Sequence, residues 1–349
     1  MTLRYFKLGL ALLLLPSLAL AWFNDSWTSR KQVAVDASVT GADIQETLTD
    51  FPLLVRLHTG NFAFFGELAE NGKDIRFMLD DKTPLKHAVE KVDAINQMAL
   101  LWVKAPTVRG GVSTDTFWLY YANAAAADGS DAAGVYDVNQ ALTLHFTEGQ
   151  ALPQDSTAYL NHANDSKASI DPAGWIGAAA KFTGTGGISV KAAPSLAVAP
   201  DTGWTFSTWV KIDAPQANAR LFEASDGKFN LSLTVNGAAA VARLQGAGAA
   251  AQTPSANLQP GKWQHVAVVA AKDQLTLYVD GAKAGAAPIS LAAFNPTLTL
   301  GAGLIGLLDE VQVAKAARGA DWVKLSFRSQ SPDFNLLSFG EDEGKGSGG

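Results

Sequence analysis

Residues 261–281 read GKWQHVAVVAAKDQLTLYVDG, and this stretch decides the fold. Two apolar runs, 263–270 and 275–279, flank the polar Ala271-Lys272-Asp273-Gln274. Runs of β-branched and aromatic residues, of strand length and broken by turn formers, predict a β-hairpin. Strand side chains alternate, so Leu275, Leu277 and Val279 share one face and Thr276, Tyr278 and Asp280 the other. Asp280-Gly281 then supplies the positive φ of a tight turn. Trp263, heading the first run, is expected in the core.

Working outward, strands are expected at 31–36, 51–58, 74–79, 85–91, 97–104 and 115–121, most of them separated by turn residues. One short helix is expected within 61–70, from the spacing of Phe62, Phe65 and Leu68. The Ala-rich 122–133 reads as a loop, because Gly129 and the interspersed Asp and Ser discourage a helix. A second domain opens at ALTLHF from Ala141, with a surface loop over 154–172 and strands within 181–190. Beyond the hairpin, 306–313 predicts a strand, 321–328 a short helix and 335–339 a closing strand. The fold expected is all-β: two tandem β-sandwiches over 22–137 and 141–339.

Composition agrees. The chain has 349 residues, 48% hydrophobic and 17% charged, enough to bury a sizeable core in two domains. A net charge of −6 and the lack of a Lys/Arg run argue against a nucleic-acid partner. With no cysteine there is no disulfide framework, thiolate metal site or cysteine nucleophile. Residues 1–21 read as a signal peptide: Arg4 and Lys7, an apolar run over 8–15, and Ala19-Leu20-Ala21 predicting cleavage before Trp22. That run is shorter than the ~18–20 residues a membrane span needs. The chain is therefore expected to be exported, with the periplasm as its location.

Three ordered pieces carry a resemblance. The hairpin, WTFSTWVKI at 204–212 and GLLDEVQV at 306–313 resemble laminin-G-like, concanavalin A-like jelly-roll domains. This implies a jelly roll over 141–339, a fold shared by lectins, glucanases, adhesive modules and spacers. In the first half WTSRKQV, FPLLVRLHTGNF, DIRF, LLWVKAP and FWLYYAN are similar to a bacterial and archaeal domain of unknown function. That family sits directly upstream of laminin-G-like domains in cell-surface and periplasmic proteins. The pairing, followed by a Gly-rich linker, resembles the exported N-terminal part of TolQ/ExbB/MotA-type proton-channel proteins. It implies a non-catalytic accessory module of a proton-driven inner-membrane complex, tethered through the flexible acidic GEDEGKGSGG at 340–349. The alternative is a secreted or surface glycan-binding or adhesive protein. The expected partner is accordingly a protein or a glycan.

An enzyme is not expected. A glucanase on this scaffold needs carboxylates on alternate residues of one strand, in an E-x-D-x-x-E pattern, and the sequence has none. Asp309 and Glu310 are adjacent, so a regular strand aims them at opposite faces, where turn and loop hydrogen bonds are their expected role. His58, His87, His145, His162 and His265 are scattered, without H-E-x-x-H or an i,i+4 pair. His265, inside the hairpin, is expected to be a hydrogen-bonded sandwich residue. There is no G-x-S-x-G elbow or P-loop, and GTGG at 184–187 is a turn. Asp155, Asp165, Asp171, Asp201 and Asp226 lie in expected loops and leave calcium open, an ion that requires ~6–8 converging ligands. Trp175, Trp204 and Tyr278 have the chemistry to stack on a sugar, but core or edge packing is the expected role of each. No catalytic, cofactor-binding or metal-binding residue is assigned, and no cofactor.

Overall fold

The computed structural model describes residues 22–147, 149, 152–246, 249–332 and 335–345. The expected signal peptide lies outside the described residues. Seven strands form the first half: β1 (Ser29–Val35), β2 (Leu48–His58), β3 (Arg76–Met78), β4 (Pro84–Leu85), β5 (His87–Asp93), β6 (Met98–Val108) and β7 (Asp115–Tyr121). The four-residue α1 (Ala132–Val135) leads to β8 (Gln140–Leu144), β9 (Asp165–Ser166), β10 (Ser169–Asp171), β11 (Ala179–Thr183) and β12 (Ile188–Val190). The body of the second half is β13 (Trp204–Ile212), β14 (Gln216–Ser225), β15 (Asn230–Gly237), β16 (Ala239–Gly246), β17 (Ala249–Gln252) and β18 (Ala256–Asn257). The chain ends with β19 (Gln264–Ala270), β20 (Gln274–Val279), β21 (Ala282–Pro288), β22 (Thr297–Ala302), β23 (Ile305–Ala314), α2 (Ala320–Gln330) and β24 (Leu337–Gly344). The all-β expectation holds.

Four sheets stack in layers. The outermost has the order β24-β1-β7-β3-β4, and beneath it lies β2-β6-β5. Between them Val33, Phe77, Phe117 and Leu119 meet Leu53, Val55, Leu101 and Val103 in the first core. The far face of the second layer, Leu54, Leu100 and Trp102, packs on Val135, Tyr136 and Ile176. That contact joins it to the third layer, β10-β11-β23-β13-β19-β20-β21, with β8 paired to β23. The third layer faces the fourth, β17-β16-β15-β14-β22-β12-β9, across a core of Trp204, Phe206, Phe222, Val268, Leu277 and Leu308. Each such fully buried apolar side chain contributes about 1.5–3 kcal/mol.

The decisive hairpin is as expected: β19 and β20 pair in register, and Asp280 (φ 48°) and Gly281 (φ 74°) make the following turn. α2 confirms the helix over 321–328 and is apolar on two sides. Trp322 and Leu325 enter the first core, while Val323 packs on Ala267, Val269 and Tyr278 of the third layer.

Five expectations are corrected. The surface loop expected over 154–172 carries two short strands, β9 and β10, which pair with β12 and β11. The helix within 61–70 is two single 3-10 turns, Phe65–Glu67 and Glu70–Gly72, with Asn71 (φ 57°) and Gly72 (φ 69°) breaking the continuation. The loop at 122–133 ends in α1, whose first turn is capped by the Asp131 side chain accepting from Gly134 N. The strand expected over 335–339 does not close the jelly roll. As Leu337–Gly344 it pairs with β1, so residues 340–344 are strand and not linker. Two ion pairs fix this return: Arg30 with Glu343 at 2.7 Å and Lys31 with Asp342 at 2.8 Å. Lastly, Trp263 precedes β19 and is half-buried against Trp175, at a ring separation of 6.4 Å, rather than in the core.

Candidate functional site

Strict alternation along β23 would send Glu310 into the second core with Leu308. Instead Leu308, Val311 and Val313 line that core, and the register against β13 slips between Ser207 and Trp209. Glu310 takes φ 50° in this bulge. The extra residue turns Asp309 and Glu310 to the same face, toward the first sandwich, which overturns the expectation of opposite faces. A left-handed conformation at a non-glycine residue costs roughly 1–3 kcal/mol, so the surroundings must hold it. Part of that hold is Glu310 N donating to Asp309 Oδ1 at 2.8 Å.

The opposing sheet does the same thing. β5 slips against β6 between Val89 and Lys91, and the residue in that bulge is Glu90. Its side chain is only 2% exposed. Between the two acids stands His145, one residue past β8 and just before Phe146 at φ 64°. His145 Nδ1 lies 2.7 Å from Glu310 Oε1 and 3.6 Å from Glu90 Oε2. The Tyr136 hydroxyl is 2.8 Å from its Nε2. Trp102 Nε1 donates to Glu90 Oε2 at 2.5 Å, and Gln312 Nε2 to Glu310 Oε2 at 3.4 Å. Asp309 accepts from Ile176 N at 2.8 Å. One imidazole nitrogen and two carboxylate oxygens thus fall within 4.8 Å of one another, the donor set of a divalent cation.

The electrostatics are strained. Burial, then the charge of Glu310, pushes Glu90 up to about 8. The same two causes raise Asp309 above the usual carboxylate range. Burial also raises Tyr136, with Glu310 and Glu90 adding to it. Arg56 is the nearby cation: burial lowers its pKa while the attraction of Glu90, Asp309 and Glu310 opposes the shift. Its Nη2 is spent on Gln330 O at 2.9 Å, and its Nε is buried without a partner, as is Glu90 Oε1. The turn at 174–177 presses on these acids. A Cβ at Gly177 would come within 2.6 Å of Glu90 Oε1, and one at Gly174 within 2.8 Å of Asp309 Oδ2.

The singled-out residues separate cleanly. Trp204 is in the core, Tyr278 is buried beneath α2, and Trp175 is half-buried with Nε1 donating to Gln330 O at 3.0 Å. His265 is buried on Trp209 and Phe327 as a sandwich residue, but its Nδ1 finds no hydrogen-bond partner. Of the five aspartates expected in loops, Asp165 and Asp171 are strand residues of β9 and β10. Asp155 is buried, and its carboxylate is filled by Thr143 N, Thr157 N, Thr157 Oγ1 and Asn161 N. Among the described residues only Glu90, His145 and Glu310 converge as a metal-type group, and none of the five aspartates joins it. Sequence reading missed this set, yet a signal existed: Val89 and Val92 both pack on the first core while standing three apart in a strand of period two.

Residues 182–324 match the family described as the concanavalin A-like lectin/glucanases superfamily. Residues 71–157 match a domain of unknown function, DUF2341. No curated protein matches the chain. Among solved structures, the binding domain of Paraclostridial Mosquitocidal Protein 1 is similar at 15% identity and a TM-score of 0.48, over 54% of this chain and 52% of that one. The botulinum neurotoxin serotype G binding domain is similar at 12% identity and a TM-score of 0.48, over 56% and 52%. Domain 4 of AbnA, an extracellular GH43 arabinanase of Geobacillus stearothermophilus, is similar at 18% identity and a TM-score of 0.44, over 53% and 97%. The chain spans about half the length of the first two. The chain thus carries a stretch that matches DUF2341, followed by one that matches the concanavalin A-like lectin/glucanases superfamily.

Proposed function

We propose that the chain is a non-catalytic binding module, exported to the periplasm and working as an accessory of a TolQ/ExbB/MotA-type proton-driven complex. The observation that carries the binding reading is the covering of the third layer. Its outer face holds Asp309 and Glu310, and the first sandwich and α2 lie over it, leaving the two side chains 0% and 1% exposed. Carboxylates at that depth have no route to a polysaccharide, which on a lectin/glucanase scaffold favours binding over hydrolysis at this face. The open face is that of the fourth layer, where Arg220, Glu223, Thr234, Arg243 and Thr299 meet solvent. It lies at the far end of the stack from β1 and β24.

The accessory reading assigns the partner to the fourth layer. Lys345 N donates to Thr28 O at 2.8 Å, so both ends of the described chain meet at the first layer and the fourth layer points away. The test is purification of the mature protein from membranes, with a charge-reversed Arg220→Glu/Arg243→Glu variant beside it. Recovery of a proton-channel subunit with the parent but not the variant supports the proposal. A glycan-array signal without that subunit supports the alternative, a glycan-binding or adhesive protein. Polysaccharide turnover, lost in Glu310→Gln, overturns both.

A further inference from the structure

We propose that Glu90, His145 and Glu310 form a structural site for one divalent first-row transition ion of the Zn²⁺ class, which joins the two sandwiches. Three chain segments far apart in sequence deliver the donors, and each is re-aimed by a backbone irregularity: the bulge at Glu90, the bulge at Glu310 with φ 50°, and the left-handed Phe146 beside His145. Bulges of this kind re-aim side chains at cost to the ladder. Glu90 adds a second observation, a buried side chain whose Oε1 has no protein partner.

Spacing and charge fit such an ion. At metal–ligand lengths of ~2.0–2.2 Å, tetrahedral ligand atoms stand about 3.3–3.6 Å apart. The 3.6 Å from Nδ1 to Glu90 Oε2 matches that spacing, and the 2.7 Å from Nδ1 to Glu310 Oε1 is a hydrogen-bond contact that an ion would widen by under ~1 Å. Two carboxylates and one neutral imidazole balance a doubly charged cation, and Arg56 stands within electrostatic reach of Glu90, Asp309 and Glu310. Imidazole favours a transition ion, and Ca²⁺ would need about 6–8 oxygens that this pocket lacks. The outer partners are of the required type. The Tyr136 hydroxyl, 2.8 Å from Nε2, can accept Nε2–H, and that tautomer presents the Nδ1 lone pair to the ion. Trp102 Nε1–H holds Glu90. Without a cation, the same atoms require a shared proton between His145 and Glu310.

The proposal is independent of the binding reading, and its test uses no binding partner. The mature chain, free of affinity tags and stripped with a chelator, is titrated with Zn²⁺ by calorimetry and melted with and without the metal. The expected result is one Zn²⁺ per chain and a rise in Tm of about 5 °C at saturating metal. Tyr136→Phe should weaken binding by about 10–100-fold, and Glu90→Gln or His145→Gln should abolish both the heat and the shift. Glu90→Gln guards against misfolding, because it removes one of two repelling buried acids and its metal-free Tm should equal or exceed the parent's. No Zn²⁺ heat or Tm shift in the parent overturns the proposal in favour of the shared proton. A shift that persists in Glu90→Gln and His145→Gln also overturns it, since the ion then sits on the surface.

Discussion

At the scale of single residues, burial against Trp209 and Phe327 pushes the pKa of His265 down to about 3, from an ordinary 6.5. His87, buried beside Phe77, is lowered by burial to about 4. Both stay neutral in the folded state while the unfolded chain takes up their protons below about pH 6.5. Their contribution is therefore complete above 6.5 and drains away as pH falls toward 4 and then 3. We expect Tm to drop across pH 6.5–4, and His265→Phe to flatten that drop, as a melt series in matched ionic strength would record. An unchanged slope in the variant would reject this assignment. The tryptophans make a second residue-level contrast. Trp204→Ala empties a core site and should cost ~3–5 kcal/mol in chemical denaturation. Trp263→Ala removes a half-buried ring and should cost less than half as much; equal losses would place Trp263 back in the core.

At the scale of elements, β24 is the instructive strand. Truncation after Leu336 would take the carboxylates of Glu343 and Asp342 from Arg30 and Lys31, whose side chains are 3% and 8% exposed. The pairs are buried at their cationic ends only, with Glu343 and Asp342 37% and 23% exposed, so two basic groups lose their partners at a part-solvated edge, and the bared edge of β1 becomes a template for another chain. The expected result is a lower denaturation midpoint together with concentration-dependent association in gel filtration. A truncated chain that stays monomeric with its midpoint intact would show β24 to be ornamental. Sequence reading found the strand itself from its apolar start, but Gly340-Glu341-Asp342-Glu343-Gly344 has the composition of a linker. Those acids are strand residues only because basic side chains 311 and more positions earlier await them, a pairing that no local pattern contains. By contrast β19 and β20 were legible, because an apolar run of strand length, and in β20 its alternation, is local. The carboxylate–histidine cluster was hidden for the opposite reason: it depends on two places where alternation fails.

At the scale of the whole molecule, α2 is shared property. Leu325 belongs to the first core and Val323 to the third layer, while Ser329 Oγ accepts from Leu54 N at 2.9 Å. Trp209 Nε1 donates to Gln330 Oε1 at 2.6 Å across the same boundary. Neither half is therefore finished alone, and calorimetry of the intact chain should show one transition instead of two. A jelly roll expressed as 138–318, stripped of α2, should melt well below it; two resolved transitions in the parent would contradict the coupling. The return of the last strand also sets a clock on biosynthesis. Arg30 and its partner Glu343 are 313 residues apart, and at ~5–20 residues per second the ribosome needs roughly 15–60 s to make the second after the first. Throughout that interval the first sandwich has an open seam. Folding in order from the N-terminus therefore leaves β1 as an unpaired edge over that interval, and the first sandwich closes only once β24 has emerged.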